Sequence, residues 1–336
     1  MQIAVFSKHK DLNFDTLNDC QLIRWTQTAL LSFIIAGLLG LLMRLAFVYE
    51  LPEWINYSHI KHAHSHVAML GWLYSGLFIF IAHNFRLYHK IYKTLFWLTQ
   101  ISILGMLIGF WFQGYAAVSI SFSALHIFLS YAFIINIFRD LKSTRQKGFA
   151  VKFLKAALLF LFVSTLGIWA IGPILNMSEG RSALYYGAIQ FFLHFQFNGW
   201  FIFAIIALFL KLMEQKNVSF DEKKMKGFFS LLTVSCIISF ALAITWSTPE
   251  HYIFWINSFG VVIQFVALYF LIKLIWPLKN KLKRIFSPWV FLMLSLSFVA
   301  LILKIAIQTL VAIPDIATIS YTVRNFVIGF IHLLML

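Results

Sequence analysis

Apolar segments of about twenty residues recur along nearly the whole of this 336-residue chain, separated by short polar connections. About 20 apolar residues are what an α-helix needs to cross the hydrocarbon core of a bilayer. Hydrophobic residues make up 61% of the chain and charged residues 12%, and a soluble fold of this size could not bury so much apolar surface. The pattern therefore predicts an all-α, polytopic membrane helix bundle in contact with a lipid bilayer. About ten transmembrane helices are expected, at 27–48, 63–84, 94–116, 118–138, 151–175, 184–213, 227–246, 250–276, 288–313 and 317–336.

The basic residues predict the orientation of the chain in the membrane. Most of the 27 Lys and Arg residues lie in the N-terminal segment and in the connections after the second, fourth, sixth and eighth predicted spans. The positive-inside rule then places residues 1–24 in the cytoplasm. We expect a multi-pass protein of a bacterial inner membrane. The net charge of +15 is explained by this topology, so no nucleic-acid partner is expected. We expect a single transmembrane domain over residues 1–336, without a persuasive internal repeat.

The last predicted helix is short for a membrane span. Arg324 is expected near the outer interface, because a charge deep in lipid costs several kcal/mol. Only the segment NFVIGFIHLLML follows it, which is shorter than a full crossing. We therefore expect the sequence to be a fragment of a longer helical bundle.

Histidines gather towards the predicted outer side of the membrane. The segment HIKHAHSHVAMLGW carries four of them, His59, His62, His64 and His66, where the second span begins. Further histidines lie on three other predicted helices, at His194, His251 and His332. Histidine is costly in lipid unless it has a partner, and imidazole is a ligand for haem iron, copper and zinc. A haem or metal site within the bundle is the hypothesis, and helix–helix hydrogen bonding is the alternative for each residue.

Lys304 is a strong charge inside a predicted span, in the segment ALILKIAIQTL. One interpretation is that its side chain extends to the outer interface. The other is that it contacts a haem propionate or takes part in proton movement, as buried ionisable residues in membranes often do. Asn198, close to His194, is a second candidate for such a contact.

The order of these sites resembles the catalytic subunit of the haem–copper oxidase and nitric oxide reductase superfamily, a twelve-helix bundle. The segment AHSHVAML is similar to that family's second helix, LHFQFNGWF to its sixth, and GFIHLLML to its tenth. The segment PEHYIFWINSFG is similar to the region that carries a paired histidine motif. In order and spacing, the resemblance covers nearly the whole chain.

The resemblance implies two cofactors, a low-spin haem b and copper. His64 and His332 would be the axial ligands of the haem, with His66 as a close competitor to His64. His194 and His251 would hold copper, with Glu250 as a third ligand. An oxidoreductase would follow, carrying electrons from a cytochrome c-type or quinol donor to dioxygen or nitric oxide, together with other oxidase-like subunits.

The chain departs from the family pattern at three positions. Glu250 stands where the family has the first histidine of the pair, Phe330 where it has the ligand of the high-spin haem, and Asn198 where it has a glutamate or tyrosine. The active centre therefore looks incomplete, which favours electron transfer or gas sensing over reduction. Three alternatives stay open: an NnrS-type haem and copper protein of nitrosative stress, which shares the HAH pattern of His62 and His64, a non-redox membrane transporter, and a membrane assembly factor.

Overall fold

The structure is a computed structural model that describes residues 19–87, 90–177, 182–245, 250–313, 315–316 and 324–335. Every regular element in these ranges is a helix. Nine of the helices described there are long and apolar enough to cross a membrane, so the prediction of an all-α, polytopic helical bundle is confirmed. In chain order these spans are Cys20–Leu45, Tyr57–Asn84, Lys90–Gln113, Ala117–Ser143, Phe149–Met177, Ala183–Gln215, Glu222–Thr245, His251–Ile285 and Pro288–Leu310.

The nine spans correspond one to one with the first nine predicted segments, although the first, second, third and seventh begin four to seven residues earlier. The first helix begins at Asp19, inside the segment that was expected to be cytoplasmic. The tenth predicted span, 317–336, lies partly outside the described residues, and the helix Arg324–Met335 occupies its second half. The bacterial inner membrane and the cytoplasmic N-terminus stay predictions.

Side chains at the start of several spans satisfy the free backbone amides of the first helical turn. Asn56 accepts hydrogen bonds from the amides of Ser58 and His59, so the second span begins at Tyr57. Ser182 starts the sixth span in the same way, and Asp221 the seventh. The second span has 28 residues and is about 42 Å long. It therefore exceeds the roughly 30 Å of hydrocarbon core, and its first turns can extend beyond that layer.

The chain divides into two compact units, residues 1–137 and 138–336. In the first unit the second span packs between the first and third spans. In the second unit the fifth span packs against the sixth, and the seventh against the eighth. The expectation that residues 1–336 form a single domain stays a prediction.

Each unit contains one span that is interrupted by a π-helical segment. In the second span this segment is Val67–Tyr74, directly after His66, and in the sixth it is Phe195–Phe201, directly after His194. The sequences HVAMLGW and HFQFNGW share a histidine, four intervening residues, a glycine and a tryptophan. The two π segments thus follow the same seven-residue pattern. Segments of π-helix are rare and are frequently found at functional sites.

The glycine of each π segment is a point of close contact with the preceding span of the sequence. A Cβ atom added to Gly71 would lie 2.9 Å from the Cβ of Ser32 in the first span. A Cβ added to Gly199 would lie 2.6 Å from the Cβ of Phe160 in the fifth span. Ser32 and Phe160 stand at the same sequence separation from their glycines. In each unit, therefore, the glycine of the π segment allows close packing against the preceding span.

Candidate functional site

His64 packs against the first span near the start of the second. Its Nδ1 atom lies 2.8 Å from the carbonyl oxygen of Ala36. A Cβ atom added to Gly40 would lie 3.0 Å from the Cε1 atom of His64, so the missing side chain of Gly40 makes room for the ring. Because a carbonyl can only accept, the proton of a neutral ring lies on Nδ1 and the lone pair on Nε2. This is the tautomer in which a histidine coordinates metal through Nε2.

His66 lies in an aromatic environment at the start of the π segment. Its Nδ1 donates to the carbonyl of His62 in the same helix, over 2.9 Å. Its ring centroid is 4.3 Å from that of Phe110, and its Nε2 is 3.5 Å from the hydroxyl of Tyr115. The ring of His62 meets Tyr115 edge-on at 4.6 Å. The structure thus brings His62 and His66 together on one face of the helix.

His126, which the sequence analysis did not single out, is a buried histidine of the first unit. It is 4% exposed and its ring lies 4.7 Å from that of Tyr74, which belongs to the π segment. Its Nδ1 is 3.4 Å from the hydroxyl of Ser130, and within the described residues its Nε2 has no hydrogen-bond partner. Nothing in the sequence around His126 distinguished it from an ordinary packed residue.

His194 has hydrogen-bond partners at both ring nitrogens. Its Nε2 donates to the carbonyl oxygen of Cys236, 2.7 Å away, in the last turn of the helix Glu222–Ile238. Its Nδ1 accepts from the Asn198 amide nitrogen over 3.3 Å. The last carbonyls of a helix lack amide partners within that helix, so His194 caps the seventh span where it breaks. With both nitrogens engaged, no lone pair is available for a metal in this arrangement.

Lys304 completes this network from the ninth span. It is 1% exposed, and its Nζ donates to the Oδ1 of Asn198 over 2.7 Å. The side chain therefore does not extend to the interface. Lys304 and Asn198, both candidate residues from the sequence, contact each other, and Asn198 also contacts His194. Within the part of the chain that the structure describes, no carboxylate forms an ion pair with Lys304.

The three residues predicted to hold copper are not assembled into a metal site. Glu250 and His251 are exposed at the beginning of the eighth span, and the Glu250 side chain does not cap that helix. Across the described ranges, no three His, Cys, Asp or Glu side chains form a group that could hold a metal ion. As placed, His194, His251 and Glu250 do not fit a copper centre. The copper assignment stays a prediction without structural support.

His332 is exposed on the helix Arg324–Met335. Its Nδ1 lies 2.7 Å from the carbonyl oxygen of Ile328, one turn earlier, which again favours the tautomer with the lone pair on Nε2. His64 belongs to the first unit and His332 to the second. Their pairing across one haem stays a prediction.

The structure adds polar contacts that sequence reasoning missed. Gln196 is buried and donates to the hydroxyl of Ser164 in the fifth span over 3.0 Å. His59 approaches the carbonyl of Trp111, in the last turn of the third span, over 3.2 Å. A backbone carbonyl has no sequence signature, and the contact of Gln196 with Ser164 depends on how the fifth and sixth spans pack, so neither partner could be identified beforehand.

Comparison with known proteins gives no relative for this chain. No protein-family model, curated protein or solved structure matches it. The resemblance to the haem–copper superfamily therefore stays a prediction based on the motifs quoted above. The fold and the local geometry define an integral membrane helical protein with two π segments, each directly preceded by a histidine.

Proposed function

We propose that this is an integral membrane haem protein, distantly related to the haem–copper superfamily, that carries electrons through a b-type haem. The observation that supports the proposal most is the presentation of His64. Its Nδ1 is oriented by the Ala36 carbonyl, and a glycine rather than a side chain faces its ring. Orientation of a ligand histidine by a backbone carbonyl is a common feature of metal and haem sites.

His332 is the proposed second axial ligand, and it has the same tautomer for the same reason. When bound, a haem with two imidazole ligands supplies a one-electron centre that does not bind a substrate at iron. His66 is the competitor to His64, since its Nδ1 also donates to a backbone carbonyl. Copper is not part of the proposal because its predicted ligands do not fit. Electron transfer is therefore proposed rather than reduction of dioxygen or nitric oxide.

The visible spectrum of the purified protein tests the proposal directly. The protein is produced in cells supplied with a haem precursor, purified in detergent, and its reduced-minus-oxidised spectrum recorded, with haem quantified as pyridine haemochrome. We expect roughly one b-type haem per chain. His64→Ala and His332→Ala should each lower the haem content at least several-fold. A matched control is His83→Ala, because His83 is exposed at the other end of the same span.

Three results would count against parts of the proposal. A colourless protein with normal helical circular dichroism would exclude the haem altogether. Loss of haem in His66→Ala, but not in His64→Ala, would move the ligand to His66. Full haem content in His332→Ala would exclude His332 as the second axial ligand.

A further inference from the structure

An open surface cavity of about 710 Å³ lies at the connection between the fourth and fifth spans. Four cationic side chains line it, Lys142, Arg145, Lys147 and Lys155. The cavity belongs entirely to the second unit and is far in sequence from the proposed haem ligands. Its lining contains no carboxylate. So many cations around one space are favourable only if an anion occupies it or water screens them.

The backbone of this connection is tightly folded. The fourth span ends at Ser143 and the fifth begins at Phe149. Arg145 has a φ angle of 51° and Gly148 one of 109°, so both lie in the left-handed region. These turns bring the cations of the loop back towards Lys155, which lies about 9 Å along the fifth span.

A side-chain contact holds the loop to the sixth span. Lys211 donates to the amide oxygen of Gln146, over 3.4 Å, and pairs with Glu214 over 3.5 Å. Glu214 also lies beside Gly148, where an added Cβ would be 3.0 Å from its Oε1. The Glu214 carboxylate beside the loop is thus engaged with Lys211. In the described part of the chain, none of the four lining cations forms an ion pair.

The wall of the cavity also has an apolar part. Phe138 and Leu141, in the last turns of the fourth span, line it together with the cations. A free anion needs no apolar wall, whereas a phospholipid brings a phosphate and the beginning of its acyl chains to the level where the spans end. Basic pockets between transmembrane helices are known to bind anionic lipid head groups.

We propose that this cavity binds the phosphate head group of an anionic phospholipid. Arg145 contributes a planar guanidinium that can pair with two phosphate oxygens, and the lysines contribute point charges. Phe138 and Leu141 contact the apolar part of the same lipid. This site is independent of the proposed haem.

Lipid binding to the purified protein tests the site. Detergent-solubilised protein is titrated with phosphatidylglycerol, and bound lipid is counted by native mass spectrometry, with phosphatidylcholine and inorganic phosphate as separate probes. We expect phosphatidylglycerol to bind more tightly than phosphatidylcholine. Each cation removed should weaken that binding roughly fivefold, so the Lys142→Gln/Lys155→Gln variant should bind about 25-fold more weakly.

The matched control lies on the same helix as Lys155. Lys152 is exposed and lies over the ring of Phe149, 4.8 Å from its centroid, but it does not line the cavity. Lys152→Gln should therefore leave binding of phosphatidylglycerol unchanged. Both variants are surface changes, and circular dichroism shows whether each is folded.

Three outcomes would overturn the proposal. The first is equal binding of the two lipids, and the second is equal weakening by Lys152→Gln and Lys155→Gln. The third is saturable binding of inorganic phosphate that excludes phosphatidylglycerol, which would assign the cavity to a soluble phosphate. Selective loss of phosphatidylglycerol in the cavity variants alone would support the lipid site.

Discussion

The second and sixth spans share a π-helical segment, but the residues that surround this segment differ. Both carry a histidine, a π segment and a glycine in close contact with another span. Around His66 the neighbours are aromatic rings and a second histidine, whereas His194 meets an amide and a backbone carbonyl. The shared part is a way of packing two helices closely. The chemistry at each histidine is set by the residues that the neighbouring spans supply.

The position of Asn198 shows the difference at one residue. The corresponding residue of the second span is Leu70, which is buried and apolar. Asn198 instead accepts a hydrogen bond from Lys304 and donates one to His194. Among the residues that the structure describes, four spans begin before residue 138, and none of them is a counterpart of the ninth span. The polar network around His194 therefore depends on Lys304 of the ninth span.

The largest effect is expected from making the sixth span resemble the second by Asn198→Leu. This change leaves the buried amino group of Lys304 without its acceptor, so the free energy of unfolding should fall by about 3 kcal/mol. Unfolding in mixed micelles of increasing SDS content, followed by circular dichroism, measures it. Lys304→Met alone should cost less than 1 kcal/mol, because it removes the charge together with its need for a partner.

The double variant Asn198→Leu/Lys304→Met distinguishes this explanation from simple mispacking. If the lost acceptor causes the destabilisation, the double variant should recover most of the stability that Asn198→Leu loses. Additive losses in the two single variants would show that Asn198 and Lys304 are not coupled. The hydrogen bond between Lys304 and Asn198 would then contribute nothing to the free energy of unfolding.

A second test compares the two glycines of the π segments. Gly199→Ala should lower the free energy of unfolding by about 2–3 kcal/mol, because the new methyl group would meet the Cβ and Cγ atoms of Phe160, which are close to the backbone. Gly71→Ala should cost about 1 kcal/mol, since Ser32 is small and the clash is milder.

Each span offers a matched control for this comparison. Gly76 in the second span and Gly187 in the sixth have no atom within 4 Å of an added Cβ. Gly76→Ala and Gly187→Ala should be neutral or stabilising by up to about 1 kcal/mol, because alanine favours the helix. If Gly199→Ala behaves like Gly187→Ala, the close approach of the fifth and sixth spans is wrong.

Much of the fold, but little of the site, could be predicted from the sequence. Long apolar segments identify spans because the bilayer imposes their length and composition. The π segments could not be predicted, since one extra residue in a turn leaves no mark on composition. The two copies of the histidine, glycine and tryptophan motif were visible, but the residues between them differ. Lys304 and Asn198 were both singled out, whereas their pairing depends on how the sixth and ninth spans pack.

The smallest effect is expected at the two histidines that begin the π segments. His194→Phe should lower the free energy of unfolding by about 1–2 kcal/mol, because the Cys236 carbonyl in a buried helix end loses its donor. His66→Phe should change it by less than about 0.5 kcal/mol in the haem-free protein. The short hydrogen bond of His66 is to its own helix, its contact with the Tyr115 hydroxyl is long at 3.5 Å, and a phenylalanine can keep the ring contact with Phe110. The same SDS unfolding assay measures both variants, and equal losses would mean that the two histidines play the same structural part. A larger loss for His194→Phe would instead show that the shared motif has different roles in the two units. His194 would then stabilise the contact between two spans, whereas His66 would have little structural role and could serve as a ligand.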